Sequence, residues 1–155
     1  MPSMARPLLL AGLLRRIDNF DLGTFEGRLV FQKSVYLMQA FGIYLGYRFN
    51  WYLRGPYSPS LTKDGFELSD NLAQYTPARF HQETECRFQQ FLGFLGRHKN
   101  DEKWLEVAAS IHFLARVLNQ ADRDKVYAKV AAKQGNVTRK YFDSTWLELE
   151  NVGLL

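Results

Sequence analysis

The sequence predicts a mainly helical fold, a single domain over residues 1-155 with one short extended or β-hairpin element. Three observations predict it. Apolar residues recur at helical spacing in segment after segment, separated by Gly, Pro, Asn and Asp breaks. Residues 102–119 are apolar around nearly the whole circumference, as expected of a helix at the centre of a domain. Only residues 47–54 alternate strictly, with Tyr47, Phe49, Trp51 and Leu53 on one side and Arg48, Asn50, Tyr52 and Arg54 on the other. A chain of 155 residues that is 46% hydrophobic and 15% aromatic can bury one substantial core and is too apolar to be disordered. No repeat, low-complexity stretch or linker divides it.

The apolar run at residues 8–14 follows Arg6 and is too short to span a bilayer. Arg15 and Arg16 stand where a leader peptide would carry small residues for cleavage. A buried first helix is expected, with no membrane association. Residues 18–24, rich in Asn, Asp and Gly, read as a loop. Residues 28–41 lack Gly and Pro and stop at Gly42, the residue type that closes helices by taking positive φ. On this helix Gln32, Lys33 and Tyr36 interrupt the apolar surface, Gln32 and Tyr36 one turn apart on a shared face. The alternating arm follows, and a lone strand needs a partner that the sequence does not identify. Gly55-Pro56 then predicts a sharp turn, because Pro fixes its own φ and pushes the preceding residue toward extended conformations. Ser58 is placed to cap a new helix, with Pro59 at its first position.

That helix is expected to run from 59 to about 75, weakened by Gly65 and broken at Pro77. Phe88, Phe91, Leu92 and Leu95 mark another over 78–96. Asn100 or Asp101 should cap the apolar helix that ends near Asn119. Two more are expected over 122–134, closed by Gly135-Asn136, and over 138–151, with Phe142, Trp146 and Leu149 on one stripe. One reading of the last three helices is a winged-helix-like packing.

Gly27-Arg28, Phe31-Gln32-Lys33, Val35-Tyr36, Trp51, Gly55-Pro56-Tyr57-Ser58-Pro59 and Leu61 together resemble the pattern of the uncharacterised YwgA-like proteins. The closing segment from Trp146 to Leu155 is similar too. More distantly the chain resembles the Panacea domain of SocA-like antitoxins, whose signature is a Leu-Gln-Lys-Leu-x-Tyr helix followed by a Gly-Pro turn. Val30 and Ser34 depart from that signature, which usually carries Lys and Leu there. The Panacea resemblance implies an antitoxin that neutralises a partner protein, a toxin, or presents it to a protease.

The charge excess is 20 − 16 = +4, mildly basic, which permits nucleic acid or an acidic protein as partner without requiring either. A single cysteine, Cys86, allows neither an intramolecular disulfide nor a cysteine-based zinc site and suits a cytoplasmic location. His81, Glu83, Glu85 and Cys86 match no zinc spacing, His98 sits in a loop without evident partners, and His112 reads as a hydrogen-bonded core histidine. No phosphate-cradling loop, nucleophile elbow or dinucleotide fingerprint is present, so no cofactor and no metal are expected. Ser58 with Lys33 would be the one hydroxyl and amine pair. Its hydroxyl is already accounted for as a cap and no oxyanion motif accompanies it, so no catalytic residue and no enzymatic activity are expected.

Two binding readings remain. Gln32, Lys33, Tyr36, Arg54, Tyr57 and Ser58 converge if the second helix packs under the Gly-Pro turn, either to satisfy the turn's backbone or to make it a protein-recognition surface. The alternative uses Lys125, Lys129 and Lys133, a basic stripe at four-residue spacing, with Arg139 and Lys140 opening the next helix in a helix-turn-helix layout that would meet nucleic acid. An ordinary solvated helix pair would look the same. A non-enzymatic interaction or regulatory module is the expectation, and no motif names its partner or oligomeric state.

Overall fold

A computed structural model describes residues 2–17 and 20–155, with side chains described from residue 6 onward. The chain is mainly helical, and its strands among the described residues form one two-stranded antiparallel hairpin. The expected loop at 18–24 begins with Asp18 and Asn19, which lie outside the described residues.

Helix α1 (Pro2–Leu14) buries Leu10, Ala11, Leu13 and Leu14 but leaves Leu8 and Leu9 exposed, so it is one-sided and not the wholly buried helix expected. Helix α2 (Phe25–Ala40) starts three residues before the expected position because Thr24 caps it, its Oγ1 accepting from Gly27 N at 2.9 Å. Gly27 is required inside the helix, because a Cβ there would collide with the Asp21 carbonyl. The end is as the sequence predicts, with Gly42 at φ +101° and Ile43 N donating to Met38 O.

The partner of the alternating arm is the Gly-Pro segment itself. Strand β1 (Asn50–Tyr52) pairs with β2 (Gly55–Tyr57), Trp51 opposite Pro56. The bend therefore falls at Leu53 and Arg54, one step before the predicted position. Gly55, at φ +93°, supplies the positive φ that a tight hairpin needs. Pro56 can sit in β2 because a two-stranded hairpin leaves each strand an outer edge where no N–H is required. Leu53 ends at the tip, 81% exposed, instead of continuing the inward stripe.

Helix α3 (Pro59–Ser69) stops short of residue 75, and a 3-10 turn over Leu72–Gln74 follows. Helix α4 (Gln82–Gly96) begins four residues later than predicted, because the backbone of Ala78 is tied to α1. Ala78 N donates to Gly12 O at 2.8 Å, and Arg16 Nη1 donates to Ala78 O at 3.3 Å. Helix α5 (Glu102–His112), capped by Asp101, passes into a π turn over Phe113–Val117, where Leu118 N reaches back to Phe113 O. Asn119, at φ +54°, ends it. Helices α6 (Arg123–Lys133) and α7 (Arg139–Asn151) are capped by Asp122 and Thr138.

Helix α5 is the centre, packed against α2, α6, α7 and β2 at once. Its residues Leu105, Val107, Ala108, Ala109 and Ile111 are fully buried, and they belong to one contiguous core that draws on all seven helices. The winged-helix-like packing is corrected here. The hairpin precedes α3, and among the described residues the C-terminal half contains no strand to act as a wing.

Candidate functional site

The hairpin lies across α2 and α5, and α2 meets it with two adjacent polar residues. Gln32 holds Ser58 by both ends of its amide: Oε1 accepts from Ser58 N at 3.0 Å, and Nε2 donates to Ser58 O at 2.8 Å. The same Nε2 donates to Thr62 Oγ1 at 2.7 Å, and Thr62 in turn donates to Tyr57 Oη at 3.0 Å. Lys33 donates from Nζ to Pro56 O at 2.6 Å. Both side chains are almost completely buried, as α2 requires if its polar atoms are to meet the backbone that the hairpin brings inward.

Around Lys33 sits a small charged group. Arg54 donates from Nε and Nη2 to Glu106 Oε1 at 2.8 and 2.7 Å, and Glu106 is buried on α5. Burial pushes the Lys33 ammonium down to about 8, an effect that Glu106 opposes and Arg54 reinforces. The Glu106 carboxyl is pushed up by burial while Arg54 and Lys33 hold it down. Its second oxygen, Oε2, is buried without a hydrogen-bond partner. Ser110, one turn along α5 from Glu106, lies so close under Gly55 that a Cβ there would collide with its hydroxyl.

Tyr36 does not support the bend, which corrects the expectation that it would join Gln32 there. One helical turn advances about 5.4 Å, enough to carry Tyr36 past the hairpin to α5. Its hydroxyl is hydrogen-bonded to His112 Nδ1 at 2.7 Å, and its ring meets Phe49 edge-on at 5.1 Å between centroids. Burial keeps the phenol protonated and pushes the His112 imidazole down to about 4, so the bond joins two neutral groups. His112 is thus the hydrogen-bonded core histidine the sequence suggests.

Gln32, Lys33, Arg54 and Tyr57 line an open cleft of about 380 Å³, together with Phe25, Arg28, Tyr52, Leu53 and Phe66 among others. Its rim is apolar and exposed: Phe25, Tyr52, Leu53 and Phe66 are each 45% exposed or more. The Arg54 guanidinium lies 5.4 Å from the centre of the Phe25 ring. Ser58 stands behind this cleft, fully occupied as the cap of α3, with Oγ accepting from Leu61 N at 3.3 Å. Lys33 and Ser58 thus bond separate backbone groups, Pro56 O and Leu61 N.

Sequence reasoning missed Glu106, Ser110, Thr62, Phe25 and Phe66. A signal for Glu106 was present: it is an acidic residue among Trp104, Leu105, Val107, Ala108 and Ala109, in the apolar stretch of that helix. Thr62 is visible only once α3, whose start the sequence predicts, is seen to pack against α2, which places it beside the Gln32 amide.

The basic residues of α6 and α7 do not form one free face. Arg139 binds Asp124 at 2.8 Å and Asp143 at 3.1 Å, and its guanidinium lies over Tyr127 and Phe142. Lys133 Nζ lies 5.7 Å from the centre of the Trp51 ring. Lys125, Lys129 and Lys140 are exposed. His98 has partners after all: Nε2 lies 2.5 Å from Glu148 Oε2, and the ring stacks on Trp104 at 3.6 Å. Glu85 is taken up by Arg16 and Gln89, Cys86 is exposed, and among the described residues no three His, Cys, Asp or Glu side chains converge to hold a metal ion. Among the described residues no helix is long and apolar enough to cross a membrane. Compared with known proteins, the chain matches no family model, no curated protein and no solved structure.

Proposed function

We propose that the protein is a non-enzymatic, cytoplasmic interaction module that binds a partner protein through the hairpin tip and the cleft beside it. One observation carries this reading: a hairpin hydrogen-bonded to α2 leaves Leu53 and Tyr52 exposed on the rim of a cleft that two further exposed aromatics, Phe25 and Phe66, also line. Exposed apolar clusters of this size on a buttressed element are the usual signature of a protein contact, and Tyr and Arg beside them are the side chains that dominate such contacts. An antitoxin-type role, as the more distant likeness to Panacea proteins implies, is a role of this class, with a toxin as the partner.

A nucleic-acid-binding regulator is the second reading. Lys125, Lys129 and Lys140 support it, but it is weakened by the engagement of Arg139 with Asp124 and Asp143. The two readings separate by photo-crosslinking in the native cell. A crosslinking residue at Leu53 should yield a discrete protein adduct that disappears with Tyr52→Asp. A nucleic-acid adduct from position 129, with none from position 53, would overturn the proposal.

A further inference from the structure

We infer that the cleft receives an acidic segment of the partner protein, a bulky apolar side chain seated between Phe25 and Phe66 with a neighbouring carboxylate held by Arg28, Lys33 and Arg54. The inference rests on the interaction reading above and adds the chemistry of what is bound.

The polar groups of the cleft offer donors and almost no acceptors. The Gln32 amide is used up on Ser58 and Thr62. The hydroxyls of Tyr57 and Thr62 hold two protons and share one hydrogen bond, which leaves one proton for an incoming acceptor. The Lys33 ammonium has three N–H groups and spends one on Pro56 O. Arg54 spends Nε and Nη2 on Glu106, and Arg28 spends Nη1 on Leu22 O, so each guanidinium has N–H groups to spare. Among the described residues, no Asp or Glu lines the cleft. Glu106, behind it, is a single carboxylate set against Arg54 and Lys33, with Arg28 in addition. An occupant that balances this excess is an anion with acceptor oxygens, and a planar carboxylate suits arginine donors.

The remaining lining is apolar, so the carboxylate must belong to something with an apolar body. The tip decides between a small acid and a polypeptide. Leu53 is 81% exposed and stands on the rim. A small molecule filling the cleft would leave that leucine in water, whereas a chain segment crossing the tip covers both. A loop or helix end carrying Leu, Phe or Trp next to Asp or Glu meets these conditions.

Panning the protein against a random peptide library displayed on phage, then measuring recovered sequences as fluorescein-labelled peptides by anisotropy, tests this. The recovered peptides should pair a large apolar residue with an acidic one. Replacing their Asp and Glu by Asn and Gln should weaken binding at least about tenfold, as should raising salt. Leu53→Asp should weaken binding while leaving the unfolding midpoint in place, and Tyr57→Phe, which removes the acceptor of the Thr62 hydroxyl, should weaken binding even where the protein is still fully folded. Peptides without acidic residues, affinities indifferent to the amide replacements or to both variants, or no recovered peptide would overturn the inference. So would binding of 3-phenylpropionate at the cleft with no peptide binding. If the Leu53 crosslink captures a protein while panning yields no acidic peptide, the interaction reading stands and the acidic preference falls; if both fail, both fall.

Discussion

Gln32 closes two hydrogen bonds with the backbone of one residue, Ser58, 26 positions along the chain, and so locks the end of the hairpin and the start of α3 to the middle of α2. Ser58 O also accepts from Thr62 N within α3, but Ser58 N has Gln32 Oε1 as its partner.

Gln32→Met, close in shape, leaves that buried N–H without an acceptor. The cost should be about 1 to 3 kcal/mol, the usual penalty for an orphaned buried donor. Urea denaturation read by far-UV circular dichroism should show a lower midpoint with an unchanged slope.

Gly55→Ala should be more damaging than its size suggests, since it combines a φ of +93° with a Cβ that meets the Ser110 hydroxyl. In a Ser110→Ala background the collision is relieved and the φ penalty stays. The cost of Gly55→Ala should therefore shrink but not vanish, a coupling of roughly 0.5 to 3 kcal/mol in a double-mutant cycle.

His112 predicts acid sensitivity. Its native imidazole protonates near 4, whereas in the unfolded chain it takes a proton near its ordinary 6.5. Between those values the unfolded state binds more protons, so stability is complete above pH 6.5 and is lost as pH falls to 4. The slope should be about 1.4 kcal/mol per pH unit for one such group. His112→Gln, which keeps an acceptor for Tyr36, should flatten that part of the stability profile, and carbon-detected NMR titration of the ring should show the low midpoint.

Lys33 acts at the other end of the scale. With its native value near 8 and an unfolded value of 10.5, the unfolded chain binds more protons in between, so stability should rise with pH above 8. The rise should approach about 2 kcal/mol by pH ~9.5, before tyrosines of the unfolded chain begin to ionise. Lys33→Met should lack it, as denaturation at a series of pH values would reveal.

Much of this architecture was legible beforehand because helix signals are local. Ser58 and Asp101 cap where their side chains suggest, and Gly42 ends α2 as its lack of a Cβ allows. The errors came where distant contacts override local preference. Residues 78–81 look helical in isolation, yet the backbone of Ala78 bonds to α1. Gly55-Pro56 looks like a bend, yet pairs as a strand because the edge position does not need the missing proline N–H. Gly65, which reads as a weak point of α3, instead lets the helix approach Phe31, whose ring would be 2.7 Å from a Cβ there.

The cleft was only half legible for the same reason. Gln32 and Lys33 announce themselves as polar interruptions on an apolar helix. Glu106 and Ser110 sit on a different helix about fifty residues past the hairpin, and no local pattern says that α5 passes beneath it. Tyr36 shares a helix face with Gln32, but a shared face does not imply a shared partner when the neighbouring element is only two short strands wide.

The most direct test of the hairpin as the binding surface is to compare Leu53→Asp with Lys129→Glu for affinity toward the protein captured by the Leu53 crosslink. Leu53 makes little buried contact, so both variants should melt with the parent protein. Leu53→Asp should lose at least about tenfold in affinity while Lys129→Glu keeps it. Undiminished binding by Leu53→Asp, with loss in Lys129→Glu, would contradict the account.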